Sequence, residues 1–441
     1  MTSGKSISVA IVGSGPAGLY TADALAESGA DVRVDIIERL PSPFGLIRFG
    51  VAPDHQTTKK ISKAFERTVL RDRVRYLGNV TVGRDVDLDE LRGLYDAVVL
   101  AVGAADDRAL GIPGGDKKGV IGSASFVGWG NSHPDFADLA PNLDTKAVVV
   151  IGNGNVALDV ARVLVKTPAE LASSDLSQRA AAAIQASPVT DVYLVGRRGP
   201  VDAKFTNVEL REMGELEACA PVVDPAQLPA TVDGVEDERD RRLKEKNLAS
   251  LRDFAGHSSE GKRKRVHFVF FASPVEVLGD DRVRAIRFEK TRVENGAAVG
   301  TGEFFEIDCG LVIAAIGYLS RPVDGAPFDA RNGIVPNEDG RVAPGLYAVG
   351  WIKRGPVGVI STNKGDGKTA AAQIVGDIGE GTKPGGAGLD RLLAERRVRV
   401  VSYGDWQKIE AAELKAATPP APRRKFPTVA EMLAVLDGVE G

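Results

Sequence analysis

The chain has 441 residues, a hydrophobic fraction of 43%, a charged fraction of 26% and a formal net charge of −4. These values are ordinary for a globular protein of two or three domains, and the charge gives no reason to expect nucleic-acid binding. No apolar run approaches the roughly 20 residues that span a bilayer. The segment before the first apolar strand is too short for a signal or transit peptide, so we expect a cytoplasmic protein that does not enter a membrane.

Cysteine and histidine positions bear on redox and metal chemistry. Cys219 and Cys309 are the only cysteines. They lie far apart and form no Cys-x-x-Cys, which argues against a disulfide framework and a redox-active dithiol. The four histidines are His55, His133, His257 and His267. Their spacing does not resemble a set of metal ligands, so no metal site is expected.

The first predicted unit is a strand, a glycine-rich turn and a helix near the start of the chain. An apolar strand at 9–12 leads into the turn G-S-G-P-A-G at 13–18, a helical pattern continues to about residue 28, and the next strand ends at Glu38. Backbone N–H groups at such a helix start face a pyrophosphate, and an acid at that strand end accepts hydrogen bonds from ribose hydroxyls. A simple turn would explain the glycines but not Glu38, so we predict a dinucleotide site.

The chain between this unit and the next similar one has a mixed character. Residues 41–50 form a Pro- and Gly-rich loop that we expect to run extended over something flat. Residues 55–70 have a helical pattern and residues 74–82 read as short strands. A buried strand at 95–103 ends in a turn of small residues, and residues 106–145 are rich in loops.

The second predicted unit repeats the first with one informative difference. A strand at 148–151 leads into G-N-G-N-V-A at 152–157 and a helical stretch, and the next strand, at 192–195, ends at Arg197 and Arg198. A guanidinium pair at that strand end matches a 2′-phosphate, which favours NADP(H) over NAD(H). A solvated basic pair is the alternative. A protein that holds both sites is expected to pass electrons between two dinucleotides.

The remaining segments have weaker signals. In chain order they are a solvated helical insertion at 167–187, a highly charged stretch at 222–265, strands at 266–271, 282–290, 303–308, 311–317 and 346–349, a helix from about 364, an extended Pro-rich linker at 419–422 and an amphipathic segment at 428–437. The strand at 311–317 resembles the one at 97–103, as expected if the two units are similar modules.

Several candidate site residues have two interpretations on the residues alone. Asp159 is either a partner of the helix dipole or a group near a nicotinamide. His55, after a loop, is more simply structural or exposed. Trp351 with Gly-Val-Ile at 358–360 suits either close passage of the backbone to a flat ring or ordinary packing. The basic residues within 239–246 alternate with acids, which fits a solvated helix face or a surface that steers an acidic partner.

Five runs, taken together and in this order, carry a family resemblance. They are V-A-I-V-G-S-G-P-A-G at 9–18, P-F-G-L-I-R-F-G-V-A-P-D-H at 43–55, G-N-G-N-V-A-L-D at 152–159, V-G-R-R-G at 195–199 and W-I-K-R-G-P-V-G-V-I at 351–360. The chain resembles adrenodoxin reductase-type ferredoxin–NADP⁺ reductases of the bacterial branch. Gly350-Trp351 replaces the Gly-Asp of the related disulfide reductases, which together with the missing dithiol argues against that group.

The resemblance implies an α/β fold with two Rossmann-like, doubly wound nucleotide-binding domains in a glutathione reductase-like arrangement. The FAD-binding domain would be discontinuous, at 1–105 and 320–441, and the NADP-binding domain would lie at 106–319. The implied activity is that of an NADPH:ferredoxin oxidoreductase: a hydride passes from NADPH to FAD, and single electrons then pass to an iron–sulfur ferredoxin. FAD and NADP(H) are the implied cofactors.

The resemblance also implies roles for individual residues. FAD would contact Gly13, Gly15, Pro16, Ala17, Glu38, Leu46, Val82, Trp351, Gly358, Val359 and Ile360. NADPH would contact Gly154, Asn155, Val156, Ala157, Arg197, Arg198 and Glu209, with Gly358 near the nicotinamide. His55 and Asp159 match polar positions near the flavin and are the catalytic candidates.

An acidic ferredoxin is the implied partner, docked on basic residues of the NADP domain. The nearest candidates are Arg211, Arg239, Arg241, Arg242 and Lys244. Three other functions stay open at this point: an NADPH-oxidising subunit of a larger complex, like the small subunit of glutamate synthase, a flavin monooxygenase, and a non-catalytic nucleotide-binding or docking protein. The first group usually carries N-terminal cysteines, and this chain has none before Cys219.

Overall fold

The computed structural model describes residues 6–438; the ends of the expected FAD domain, 1–5 and 439–441, lie outside them. The strands are β1 Ile7–Val12, β2 Val32–Ile37, β3 Val74–Leu77, β4 Ala97–Leu100, β5 Asp106–Asp107, β6 Val120–Gly122, β7 Ala147–Ile151, β8 Asp191–Val195, β9 Cys219–Val223, β10 Lys264–Val269, β11 Ala272–Leu278, β12 Ala285–Glu294, β13 Ala297–Asp308, β14 Leu311–Ala314, β15 Tyr318–Leu319, β16 Arg341–Ala343 and β17 Leu346–Ala348. The helices are α1 Pro16–Ala26, α2 Leu46–Phe49, α3 Gln56–Lys59, α4 Ser62–Val69, α5 Leu88–Leu94, α6 Ser123–Gly130, α7 Asn155–Val165, α8 Pro168–Leu171, α9 Gln178–Ala186, α10 Asn207–Glu212, α11 Glu238–Gly256, α12 Trp351–Arg354, α13 Asn363–Ile378, α14 Gly386–Glu395, α15 Tyr403–Lys415 and α16 Val429–Leu436.

Two six-stranded sheets have the same plan. The first has the order β16-β17-β4-β1-β2-β3 and the second the order β6-β14-β7-β8-β10-β9. In each, the strand that precedes a glycine loop, β1 or β7, pairs in parallel with the strand that precedes the candidate ribose-binding position, β2 or β8. Parallel sheets covered on both faces need continuous apolar strands, and β1 is buried along its whole length. The chain order reverses beside β1 and β7, where nucleotides bind in such sheets.

The elements packed around the first sheet form the first lobe, and those around the second form the second lobe. The chain passes between the lobes twice, through β5 and β15, which pair in antiparallel fashion with Tyr318 opposite Asp107. The boundaries expected at 105/106 and 319/320 fall on this two-stranded ribbon. A three-stranded antiparallel sheet, β11-β12-β13, belongs to the second lobe and packs against its parallel sheet through a buried cluster that includes Ile286 and Phe288.

Three local expectations were wrong. The segment at 41–50 does not run extended throughout, because residues Leu46–Phe49 form the helix α2. The insertion at 167–187 is helical in part, through α8 and α9, but it is not simply solvated, because the Asp175 side chain is only 2% exposed. The Pro-rich segment is a turn rather than an extended linker, since the Ala421 N–H donates to the Thr418 carbonyl at 3.0 Å. After this turn the chain returns to the protein and buries Lys425. Asp175 of the insertion and Lys425 after the turn pair where the two lobes meet. Sequence periodicity does not reveal such a contact.

The C-terminal helices belong to the first lobe. Trp406 and Ile409 of α15 and Met432 of α16 are completely buried in the same apolar cluster as the first sheet. The last 40 residues of the described chain are therefore part of the core rather than an appended tail. Within residues 6–438, no helix is both long and apolar enough to cross a membrane.

Candidate functional site

The first glycine loop has the backbone shape of an anion site. Gly13 has φ +109°, and a Cβ there would lie 2.5 Å from the Ala101 carbonyl oxygen, so only glycine fits. At Gly15, by contrast, an added Cβ would meet nothing in the described chain within 4 Å. Helix α1 begins at Pro16 without a side-chain cap among the described residues. Its first N–H groups are thus directed at open space, which suits a pyrophosphate.

Glu38 lies beside this loop at the end of β2. Its Oε2 accepts hydrogen bonds from the Ser14 N–H at 3.1 Å and the Ser14 hydroxyl at 2.7 Å. Its Oε1 accepts one from the Leu40 N–H at 3.1 Å. The carboxylate therefore stands where a ribose-binding acid was expected, and its position is fixed by the loop itself.

Two segments distant in sequence converge on the start of α1. A Cβ on Gly45, just before Leu46, would lie 3.0 Å from the Gly15 Cα, and one on Gly350, just before Trp351, would lie 2.6 Å from the Ala17 Cβ. The structure thus brings Leu46 and Trp351 to the loop. Val82 lies in a separate turn and packs against the apolar cluster that contains Val12.

Apolar side chains near this point are exposed. Val357 and Val359 of the loop after α12 are 67% and 65% exposed, and Leu46 is also exposed. Gly358 between the two valines has φ +92°, and a Cβ there would lie 2.7 Å from the Thr362 hydroxyl. Exposed valines on a glycine-dependent loop suit a flat ring that would cover them. Ile360 is half-buried against the first lobe.

The second glycine loop repeats the geometry of the first. Gly152 has φ +139°, and a Cβ there would lie 2.3 Å from the Ala315 carbonyl oxygen, whereas one at Gly154 would meet none of the described atoms within 4 Å. Helix α7 begins at Asn155, again without a side-chain cap from residues 6–438. The Asn155 side chain instead accepts a hydrogen bond from the Thr206 N–H at 2.8 Å. Val156 is half-buried and Ala157 is buried against the second core.

Arg197 and Arg198 follow β8, one and two residues beyond the position that corresponds to Glu38 in the first lobe. Arg197 is exposed and its guanidinium has no hydrogen bond or ion pair within residues 6–438. Arg198 has only long contacts, 3.5 Å to the Asp202 carboxylate and 3.5 Å to the Gly296 carbonyl. Both guanidinium groups are thus able to pair with a phosphate.

His55 and Asp159 meet in a charged cluster where the lobes touch. The two side chains approach to 3.8 Å, between His55 Nδ1 and Asp159 Oδ1. His55 Nε2 lies 3.1 Å from Glu212 and 3.4 Å from Glu209, both on α10. Since His55 comes from the first lobe and the three acids come from the second, the cluster depends on how the lobes are placed.

Arg162 is the central cation of this cluster. It is completely buried on α7 and its guanidinium forms a bidentate hydrogen bond with Asp54, at 2.8 and 3.0 Å. It also lies 2.7 Å from Asp159 and 3.3 Å from Glu212. Lys166, which directly follows α7, donates to Asp54 at 2.8 Å. Four carboxylates therefore face Arg162, Lys166 and the titratable imidazole of His55.

The cluster shifts the pKa of each member in a direction set by its neighbours. Burial alone would lower the pKa of His55, but its hydrogen bond with Glu212 and the charges of Asp159 and Glu209 raise it above its ordinary value. Burial raises the pKa of Asp159, and burial with the charge of Asp159 raises that of Glu209. The hydrogen bond from His55 lowers the pKa of Glu212. The cluster thus favours the protonated form of His55 more than water does.

The same side chains include a set of metal-ligand types that sequence spacing did not reveal. Ligand atoms of His55, Glu209 and Glu212 lie within 4.8 Å of one another. Arg162 Nη1 lies 3.6 Å from the Glu209 carboxylate and 3.3 Å from that of Glu212, so a positive charge already faces these oxygens. We therefore read the group as a hydrogen-bonded ion cluster.

Sequence reasoning missed Arg162, Asp54, Lys166 and Glu212. A signal was present for the first: Arg162 lies in the apolar helix N-V-A-L-D-V-A-R-V-L-V, three residues after Asp159, and a lone cation in such a helix needs a buried partner. Asp54 was part of the quoted run at 43–55 but its partner could not be identified from spacing.

A tyrosine–tryptophan pair joins the ribbon between the lobes to the first lobe's loop. The rings of Tyr318 and Trp351 lie 5.9 Å apart between centroids. Burial raises the pKa of Tyr318 to about 12. The ribbon and the Trp351 segment thus lie close together.

The basic candidates lie on two helices of the second lobe that pack against each other. Arg211 is on α10, and α10 packs against α11, which carries Arg239, Arg241, Arg242 and Lys244. Arg242 pairs with Glu238 and Lys244 with Asp240 along the helix. Apart from Lys244, all of these basic side chains are exposed.

Comparison with known proteins gives full-length matches. Residues 7–201 match the family described as "Pyridine nucleotide-disulphide oxidoreductase". The chain is 42% identical to an NADPH:adrenodoxin oxidoreductase of Arabidopsis thaliana, over 98% of this chain and 96% of that protein. It is 41% identical to the NADPH-ferredoxin reductase FprA of Mycobacterium tuberculosis, over 97% of this chain and 98% of that protein.

Solved structures agree with the sequence matches. The structure of FprA, titled as a Mycobacterium tuberculosis oxidoreductase with a covalent modification of NADP⁺, superposes with a TM-score of 0.93 at 41% identity, covering 98% of this chain and 99% of that one. FprA in complex with NADPH gives the same TM-score at 40% identity. The fold class and the resemblance expected from the sequence are confirmed, and this chain belongs to the family of adrenodoxin reductases and NADPH-ferredoxin reductases.

Proposed function

We propose that this protein is an NADPH:ferredoxin oxidoreductase that uses FAD. The observation that carries the proposal is the pair of glycine loops, one in each lobe, which share the same backbone geometry. The strand after the first loop's helix leads to Glu38, whereas the strand after the second loop's helix leads to Arg197 and Arg198. Its relatives are named NADPH:adrenodoxin oxidoreductase and NADPH-ferredoxin reductase, which supports the same reaction. FAD, when bound, accepts a hydride from NADPH and releases electrons one at a time.

The first lobe, at 1–105 and 320–441, would hold FAD. Gly13, Gly15, Pro16 and Ala17 would present the α1 N-terminus to the pyrophosphate, and Glu38 would bind the ribose. The exposed apolar surface next to this loop supports a ring system there. The residues in question are Leu46, Trp351, Gly358, Val359 and Ile360. Val82 is the least supported member of the proposed set, since it lies in a separate turn.

The second lobe, at 106–319, would hold NADPH. The Gly154–Ala157 segment would present the α7 N-terminus to the second pyrophosphate, and Arg197 and Arg198 would bind the 2′-phosphate. Glu209 would act close to His55, since the two side chains approach to 3.4 Å.

His55 and Asp159 are proposed to act through charge rather than as nucleophiles. Their cluster contains side chains of both lobes, Glu209 among them, so it would lie between the two nucleotide sites that we propose. A proton between His55 and Glu212 would offset the negative charge of one carboxylate, and Arg162 would hold the acids in place. Together with the apolar loop around Val359, these groups would orient the reacting rings and limit access of water.

An acidic iron–sulfur ferredoxin is the proposed partner, docked on Arg211 of α10 and the basic residues of α11. Ion pairs within α11 reduce the net charge of this face, so steering would come mainly from Arg211, Arg239 and Arg241, which pair with no carboxylate of the described chain. We also propose a cytoplasmic location, which fractionation of cells that express the protein would test.

An absorbance spectrum followed by an NADPH titration tests the function. The purified protein should carry a flavin spectrum that NADPH bleaches under anaerobic conditions, and cytochrome c reduction should require added ferredoxin. NADPH oxidation coupled to oxygen and independent of ferredoxin would favour a monooxygenase instead. A colourless protein that cannot be reconstituted with FAD would favour a non-catalytic nucleotide-binding protein.

A further inference from the structure

A second, buried ion cluster joins the lobes on the side of the C-terminal segment. Lys59 Nζ lies 2.6 Å from Asp175 Oδ1 and 2.7 Å from Asn131 Oδ1. Lys425 Nζ lies 2.8 Å from Asp175 Oδ2 and 2.9 Å from Asn131 Oδ1. Each lysine thus pairs with a different oxygen of the same carboxylate, and both contact the same amide oxygen.

The members of this cluster come from opposite lobes. Lys59 is on α3 and Lys425 follows α15, and both belong to the first lobe, whereas Asn131 and Asp175 belong to the second. The Lys425 and Asp175 side chains are 1% and 2% exposed. Lys425 also donates to the Arg48 carbonyl at 2.9 Å. Charges buried this deeply have little freedom to adopt another geometry, because any opening leaves them unpaired.

The C-terminal segment that carries Lys425 is itself fixed to the first lobe. Glu413 of α15 forms a buried bidentate ion pair with Arg48, and its Oε1 accepts the Phe426 N–H at 3.1 Å. Arg423 pairs with Glu410 at 2.8 Å. The segment therefore acts as a rigid strap that delivers one ammonium group to the second lobe.

The same second-lobe residues hold the chain that leads to His55. The Asn131 side chain donates to the Val51 carbonyl at 3.0 Å, and the Asp175 N–H donates to the Pro53 carbonyl at 3.1 Å. The next residue, Asp54, is held by Arg162, as described above. The contacts that the second lobe makes with residues 51–55 thus fall within a few residues of His55, the candidate catalytic histidine.

We propose that Lys425, through Asp175 and Asn131, is a positioning residue that fixes the second lobe and the 51–55 segment in the arrangement required for hydride transfer. The inference rests on the proposed function. It assigns to the C-terminal strap a role in the rate of flavin reduction and none in binding either nucleotide, because Lys425 touches neither glycine loop.

Lys425 can be replaced without leaving a buried charge unpaired, because a second cation also faces Asp175. Lys425→Met leaves Lys59 paired with Asp175, so no carboxylate is left without a partner. The matched control is Arg399→Met, which removes an exposed ion pair with Asp437 in the same C-terminal part of the first lobe. Both variants would be studied as FAD-loaded full chains.

Anaerobic stopped-flow reduction by NADPH separates positioning from binding. For Lys425→Met we expect the limiting rate of flavin reduction to fall about tenfold or more, while the FAD content and the NADP⁺ dissociation constant stay within about twofold of wild type. Reduction by dithionite, which needs no lobe alignment, should be unchanged. Arg399→Met should match wild type in all four measurements.

A wild-type limiting rate in Lys425→Met would overturn the proposal, as would a parallel loss of rate and NADP⁺ affinity. If Lys425→Met does not fold, Lys425→Gln keeps an amide donor toward Asp175 and is measured in the same way. Failure of both variants to fold would also count against it, since the cluster would then serve folding alone. Absence of flavin reduction by NADPH in the wild-type protein would instead contradict the proposed function.

Discussion

Gly154→Ala should separate nucleotide binding from stability in the second lobe. Gly154 has φ −120° and ψ 177°, ordinary extended values, and an added Cβ would meet nothing within 4 Å in the described chain. The substitution should therefore cost about 1 kcal/mol of stability or less, mostly from the changed helix N-cap. The new methyl group would instead occupy the space that the NADPH pyrophosphate needs.

The expected loss of affinity follows from the hydrogen bonds at stake. A charge-assisted hydrogen bond from a backbone N–H to a phosphate contributes about 1.5–3 kcal/mol, so losing one should weaken NADP⁺ binding about 10- to 150-fold. Calorimetric titration of the FAD-loaded protein with NADP⁺ measures this directly. Thermal unfolding of the same samples reports stability.

Two further glycine variants serve as controls. Gly152→Ala should destabilise the lobe itself, because its Cβ would lie 2.3 Å from the Ala315 carbonyl oxygen at a φ of +139°. Gly15→Ala, the equivalent of Gly154→Ala in the first loop, should weaken FAD and spare NADP⁺. The assignment of the loops would be refuted if Gly154→Ala bound NADP⁺ normally or if it lost FAD instead.

Three other predictions test the remaining charged groups. Replacing both Arg197 and Arg198 with Ala should raise KM for NADPH about 10-fold or more and leave KM for NADH nearly unchanged; equal effects would contradict the 2′-phosphate assignment. The stability difference between wild type and Glu212→Gln should be largest between about pH 4.5 and 6.5, where Glu212 is ionised and His55 is protonated in both states, and should shrink to the part contributed by Arg162 as pH rises through the raised folded pKa of His55; denaturant titrations that show a constant difference would disagree. Ferredoxin-dependent cytochrome c reduction should fall with salt and in Arg211→Glu, while dye reduction by NADPH should not.

The parts of the candidate site that sequence could place are local in the chain. Each glycine loop, with its strand and helix, spans about thirty to fifty residues, although the atoms that crowd Gly13 and Gly152 belong to Ala101 and Ala315, which follow distant strands of the same sheets. Glu38 and Arg197 were found because they stand at a fixed point in that unit. Such features depend on short-range geometry, so their spacing survives in the sequence.

The parts that sequence missed depend on contacts between the lobes. His55 and Glu212 are separated by 157 residues, and Lys425 and Asn131 by 294. No periodicity connects such positions, and a buried lysine reads like any surface lysine. The helical pattern at 167–187 therefore predicts a solvated insertion, although the segment contains the buried Asp175.

The local features and the inter-lobe features would affect different steps of the proposed reaction. In the proposed reaction each nucleotide would be held by one lobe, through backbone groups of that lobe. The distance between the two nucleotides would instead depend on Asp54, His55 and Lys425, which all bridge the lobes. Substitutions in the glycine loops should thus change binding constants, whereas substitutions in the bridging ion clusters should change the rate between bound states.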